Sequence, residues 1–205
     1  MHIRKSLVLA AFTIAAFPSA AFAAVVATAV TPLNVRSGPG PEFPVIGAIP
    51  ANGKATLIGC IQGSLWCQVT FGGKQGWAYS QYLTATLSGR SLAISESIAQ
   101  FPSVTYEAPA ATVGVAARPV VRGMLIAPRT TAAPLSPEPP ASVREYVVAH
   151  PVEPVYLNGE VVLGSGLPAE VALAPIPGYQ YQYAYVNSVP VLVEPQTREV
   201  AYVYQ

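Results

Sequence analysis

Hydrophobic and polar positions alternate in short runs along most of this chain, at the period of two that places successive side chains on opposite faces of a strand. Five such runs fall between Leu33 and Leu83: Leu33 to Arg36, Val45 to Ile49, Ala55 to Cys60, Trp66 to Phe71 and Gln75 to Tyr79. Gly38-Pro39-Gly40, Pro50-Ala51-Asn52-Gly53 and Gly72-Gly73 separate them as turns. The pattern predicts a small antiparallel barrel or sandwich. Placing Cys60 opposite Cys67 puts Ile58 opposite Val69 and Thr56 opposite Phe71, which gives that hairpin one mostly apolar face. On the same register Trp66 faces away from the core.

Beyond Leu83 the alternation lapses. Ser88 to Gln100 predicts a short helix with Leu92 and Ile98 inward. Phe101 to Pro140 then carries eight prolines in forty residues, a density that excludes helix and ladder pairing. It reads as a disordered Pro/Ala-rich linker in which Phe101 and Tyr106 are the available anchors. Arg118, Arg122 and Arg129 follow one another without an intervening acid, and are expected to be a solvated tether rather than an anion-binding patch. Pro134-Leu135-Ser136-Pro137 has the spacing of a polyproline ligand but lacks the matching basic flank.

Strand character returns from Arg144 to Gln205, with eight of the eleven tyrosines. Val155-Tyr156-Leu157, Asn158-Gly159 and Glu160-Val161-Val162-Leu163 predict a hairpin. Tyr181, Tyr183 and Tyr185, then Val191 and Val193, then Val200, Tyr202 and Tyr204 predict a three-stranded meander. The tyrosines either cover a thin sheet or stack on a sugar or partner, and the first role is the one expected. The chain thus divides into residues 1–23, a barrel at 24–83, a linker at 84–143 and a β-rich C-terminal domain at 144–205: a mainly β protein.

Leu33-Asn34-Val35-Arg36-Ser37-Gly38-Pro39, Trp66 with Val69, and Gly76-Trp77 with Tyr82-Leu83 resemble the bacterial SH3 (SH3-like) domain family. The resemblance implies a small β-barrel that works as a binding or targeting module, often for cell-wall peptide or glycan. Pro151-Val152-Glu153-Pro154, the Asn158-Gly159 turn and the run from Tyr183 to Pro195 resemble an uncharacterised C-terminal domain of secreted bacterial proteins. That second resemblance implies a boundary and no chemistry.

The N-terminus sets the compartment. Arg4 and Lys5, an apolar run from Leu7 to Phe17 and small residues at Ala21 and Ala23 have the form of a secretory signal peptide, with cleavage expected after Ala23. Eleven apolar residues reach about 16 Å as a helix, too short to span a bilayer core of about 30 Å. No later run is long enough to cross a membrane, so a periplasmic or secreted protein is expected. There a Cys60 to Cys67 disulfide is the default.

Composition then narrows the function. Removing Arg4 and Lys5 takes the formal charge from +1 to −1, which argues against a nucleic-acid partner. All ten acidic residues are Glu, so mechanisms needing an Asp nucleophile, a Ser-His-Asp triad or an Asp-rich calcium loop are disfavoured. A catalytic thiol needs a histidine base, and after cleavage the only histidine is the distant His150. Glu153, Glu160 and Glu170 have no spacing that fixes a glycosidase pair. No enzyme, cofactor or metal is expected.

What remains is binding by the barrel's turns and outer face. Trp66 and Trp77 offer flat apolar surface with one donor each, joined by Tyr79 and Tyr82. Asn34 suits a peptide amide. Arg36 suits a carboxylate, or else a hydrogen bond to the Gly38 to Gly40 turn. The expected function is a non-enzymatic envelope protein recognising peptidoglycan peptide or glycan, or a wall-associated partner. The alternative is a structural or sensory adaptor that binds another envelope protein through the tyrosine-rich domain.

Overall fold

The Leu33 to Leu83 alternation folds as the five strands it predicts, within a larger sheet. The structure is a computed structural model that describes residues 24–87, 89–108, 121–128 and 138–204. The expected signal segment, Arg118, Arg129 and Pro134 to Pro137 lie outside the described residues. Eight strands form one curled antiparallel sheet: β1 (Val25–Ala29), β2 (Leu33–Arg36), β3 (Val45–Ile49), β4 (Lys54–Cys60), β5 (Trp66–Phe71), β6 (Lys74–Tyr79), β7 (Leu83–Leu87) and β8 (Arg90–Ala93). Their order across the sheet is β3-β2-β6-β5-β4-β1-β7-β8. Ala27, Ala29, Leu33, Val35, Ile49, Leu57, Val69 and Leu83 fill its core.

Cys60 and Cys67 are bonded and face each other across β4 and β5, as the pattern requires. Closing this short loop stabilises the barrel by about 2 kcal/mol in the chain-entropy account. The register beyond the bridge differs from the expected one. A bulge at Ile58 sets Leu57, rather than Ile58, opposite Val69, and Thr56 opposite Thr70. The extra residue resets the parity of β4, a shift that alternation alone does not report.

The helix expected over Ser88 to Gln100 is absent from the described residues 89–100. They supply strand β8 and two 3-10 turns, Ile94–Glu96 and Ile98–Gln100. The backbone of Pro102 to Val104 then hydrogen-bonds to both sides of Cys60. Gly59 permits that approach, since a Cβ there would stand 2.7 Å from the Pro102 carbonyl. Phe101 is buried and Tyr106 packs on the barrel, as expected of the two anchors. The described residues from 84 to 108 are therefore part of the barrel's surroundings, and residues 109–120 and 129–137, with four of the eight prolines, lie outside the described residues.

The C-terminal domain holds a four-stranded antiparallel sheet in the order of its strands: β11 (Ala174–Pro175), β12 (Gln182–Val186), β13 (Val189–Val193) and β14 (Val200–Val203). The expected meander is there. Alternation gives the sheet two faces. Ala184, Val186, Val191, Val193 and Val200 pack against Leu125, Leu157, Val161, Leu167 and Val171. Tyr183 and Leu192 pack against Val143 and Val147 of helix α1 (Ala141–Ala149), which the sequence pattern did not predict. The tyrosine stripe is largely this helix's seat. Tyr183 and Tyr185 donate hydroxyl hydrogen bonds to the carbonyls of His150 and Val147, which the helix C-terminus leaves open.

The expected hairpin at Asn158-Gly159 does not form. A two-residue turn of the favoured type needs both central residues at positive φ, and here only Gly159 has it, at 107°. Leu157 and its neighbours instead make strand β10 (Tyr156–Asn158), parallel to β9 (Val121–Met124) from the Pro-rich region. Residues 160–163 leave the strand direction and run, mostly buried, to the barrel.

Candidate functional site

Glu160 crosses from the C-terminal domain into the barrel, and both it and Arg36 are fully buried. The guanidinium grips the carboxylate with two N–H groups: Nε donates to Oε2 at 2.5 Å and Nη2 to Oε1 at 2.7 Å. Asn34 Nδ2 donates to the same Oε1 at 2.9 Å. The remaining nitrogen, Nη1, faces the carbonyls of Pro41, Phe43 and Asn187, at 3.1, 2.8 and 3.1 Å. A bidentate pair with its spare donors satisfied is the arrangement in which a buried charge pair is tolerated. Arg36 thus ties down the segment that follows the Gly38 to Gly40 turn, at Pro41 and Phe43 rather than in the turn itself, and it holds a carboxylate. The carboxylate belongs to the chain itself.

Around this pair the two modules share a core. Val162 packs among the barrel residues. Tyr82 is buried beside it, with its hydroxyl near the Ser165 side chain. Burial pushes the Tyr82 phenol up to about 12, against the weaker lowering effect of Ser165. Asn187 is the hub on the other side. It and Ser188 have φ of 54° and 64°, forming the hairpin turn between β12 and β13. Asn187 Oδ1 accepts the Leu157 N–H, and its Nδ2 donates to the Gly159 carbonyl.

The six barrel residues expected to bind therefore separate. Asn34, Arg36 and Tyr82 are covered by the C-terminal domain. Trp77 is buried too, its ring meeting Tyr106 edge-on at 5.6 Å, and Tyr106 in turn meets Phe43. Trp66 does not face outward as its parity suggested; only 5 % of it is exposed. Its ring meets the edge of Tyr79 at 5.3 Å. These two rings line an open groove of about 400 Å³, together with Gly63, Ser64, Leu65, Ile98 and Asn158. Burial raises the Tyr79 phenol above its usual range, so it is a neutral donor at ordinary pH.

Two residues of this region were not singled out by sequence reasoning as binding elements: Glu160, whose partner lies 124 positions earlier, and Asn158, which closes the groove from the other module. Their one sequence signal is the Asn-Gly-Glu run itself, which is most simply explained as a turn. Among the described residues no group of three or more His, Cys or Glu side chains converges to hold a metal.

A curled β-sheet of this topology, with a disulfide across β4 and β5 and a second β-module held to it by the Arg36 to Glu160 pair, is an SH3-like fold with a docked partner domain. The chain carries a bacterial SH3 domain, matched over residues 31–84, followed by a domain of unknown function (DUF1236), matched over residues 146–205. No curated protein matches it. The matched spans leave out β1, most of β7, β8, β9 and the first half of α1, and both Arg36 and Glu160 lie inside them.

Proposed function

We propose that this is a secreted, non-enzymatic protein of the cell envelope, whose SH3-like module recognises peptidoglycan peptide or glycan through the groove between Trp66 and Tyr79. The groove carries the reading: two aromatic faces and an amide side chain line an open site on a module whose family suggests binding. Aromatic faces accept the apolar face of a sugar ring or a small peptide side chain, and the amide supplies direction. The basic, apolar and small-residue order of residues 1–23 supports export, and the Cys60 to Cys67 disulfide fits an oxidising compartment. Action by recognition, without bond breaking, is supported by the disposition of reactive groups. Both thiols are joined in the disulfide, and the His150 ring stacks on Tyr146 far from either cysteine in sequence.

The adaptor reading has less behind it, because α1 occupies much of the tyrosine face that a partner would use. Titration of the Ala24 to Gln205 chain with purified peptidoglycan fragments, followed by tryptophan fluorescence, tests the proposal. A saturable change that is lost in Tyr79→Ala is expected. A flat titration of the folded, oxidised chain overturns it.

A further inference from the structure

The domain of unknown function supplies one wall of the groove, and the way it is held assigns that wall a role. Asn158 is exposed at the rim facing Trp66 and Tyr79, and its side chain has no hydrogen-bond partner among the described residues. Its backbone, by contrast, is fixed on every side. The carbonyl of Asn158 accepts the Leu125 N–H, while Asn187 binds Leu157 and Gly159 on either flank. Gly159 runs close against the Tyr79 ring, where a Cβ would lie 3.9 Å from Cζ. One residue further, Glu160 is clamped by Arg36 and Asn34 of the barrel. An unpaired amide on a rigid frame, beside two aromatic faces, is a preorganised hydrogen-bonding group.

We propose that the groove is a composite site: Asn158 of the C-terminal domain is a ligand contact, and Glu160 is the positioning residue that keeps it there. An Asn amide donates through nitrogen and accepts through oxygen, which complements a secondary amide in the ligand. That chemistry is shared by the N-acetyl group of an amino sugar and the backbone of a stem peptide. The proposal rests on the groove being the binding site, and the barrel alone is then an incomplete receptor.

The test uses the Ala24 to Gln205 chain carrying Trp77→Phe, which leaves Trp66 as its sole tryptophan. N-acetylglucosamine oligomers and free stem peptide are titrated separately, and acrylamide quenching of Trp66 is measured without ligand. Asn158→Ala lies on the surface and is expected to keep the parent quenching while weakening binding about tenfold, the worth of one well-placed hydrogen bond. Glu160→Ala is expected to raise quenching about twofold as the domain loosens over Trp66, and to weaken binding at least as much. Glu160→Gln stands in if the alanine variant does not fold, with changes in the same direction. Whichever ligand responds to Asn158→Ala identifies the amide. Parent affinity in Asn158→Ala, or parent quenching in a folded Glu160→Ala, overturns the proposal. A parent chain that binds neither ligand overturns the wall-ligand reading and the contact role of Asn158 with it, and quenching still decides whether Glu160 holds the domain in place.

Discussion

The Arg36 site and the Trp66 groove lie at the same junction of the two modules, yet one is filled and the other open. At Arg36 each of the three guanidinium nitrogens donates to protein oxygens, three of the four accepting groups lying on the loop after Gly38 and on Glu160, the fourth on Asn187. The groove is lined instead by the rings of Trp66 and Tyr79 and by the exposed, unpaired Asn158. The charge pair costs much to expose or unpair, so it suits a permanent joint. Neutral aromatic and amide groups cost little to leave in water, so they suit exchange with a ligand. The lesson is that the residue type most suggestive of ligand binding, a motif arginine, serves assembly here.

The largest expected effect comes from breaking the joint. Glu160→Ala leaves a buried guanidinium without its counter-charge and should lower stability by about 3–5 kcal/mol. Arg36→Met with Glu160→Met removes both charges, and its loss should fall short of the sum of the single losses by at least about 1 kcal/mol. Urea denaturation of the parent, Glu160→Ala, the two single Met variants and the double variant measures both quantities. A single-variant loss under about 1 kcal/mol would mean that the pair is solvent-exposed in solution, and the contrast with the groove would collapse.

Next in size is Asn187, which braces the segment between joint and groove. Asn187→Ala removes the partners of the Leu157 N–H and Gly159 carbonyl and puts a β-carbon at positive φ, for a loss of about 2–3 kcal/mol. Asn187→Gly relieves the φ cost alone, so it should remain within about 1 kcal/mol of the alanine variant. Full recovery in the glycine variant would reduce Asn187 to a turn residue with no bracing role.

These turns also show what the sequence could convey. Alternation located five barrel strands and the C-terminal meander, because period-two burial is a local signal. Asn158-Gly159 has the stronger hairpin signature, but Asn187-Ser188 is the hairpin. The difference is tertiary: Glu160 is drawn to Arg36, which pulls the chain out of the strand direction after Gly159, whereas Val189 to Val193 continue directly into pairing with Gln182 to Val186. Parity failed for Trp66 because strand alternation tells which face a ring takes and says nothing of the Ile98 turn and Asn158, which come to border that face. The helix at Ala141–Ala149 was missed because it follows a proline-rich stretch and buries only Val143 and Val147. The disulfide was legible because the expected compartment and the Cys60 to Cys67 register both pointed to it.

The smallest expected effect is alkaline and tests whether the joint is dry at Tyr82. Its phenol sits at about 12 in the folded chain and at 10.0 as the ordinary value, so folding favours the protonated form. Below pH 10 both states hold the proton and stability is independent of pH through this group. Between about pH 10 and 12 the unfolded chain releases the proton first, and stability falls as pH rises. Tyr204 is also raised to about 12, and Tyr79, Tyr179, Tyr183 and Tyr202 are raised as well, so the parent chain loses stability through several phenols in this range. Tyr82→Phe should flatten that slope by up to one proton, on top of any pH-independent change from removing the hydroxyl. Urea midpoints at about pH 9, 10, 11 and 12, across the tyrosine range, give both slopes. An identical slope in parent and variant would show that water reaches the Tyr82 hydroxyl, and the joint would then be wet at the edge where Val162 and Ser165 meet the barrel.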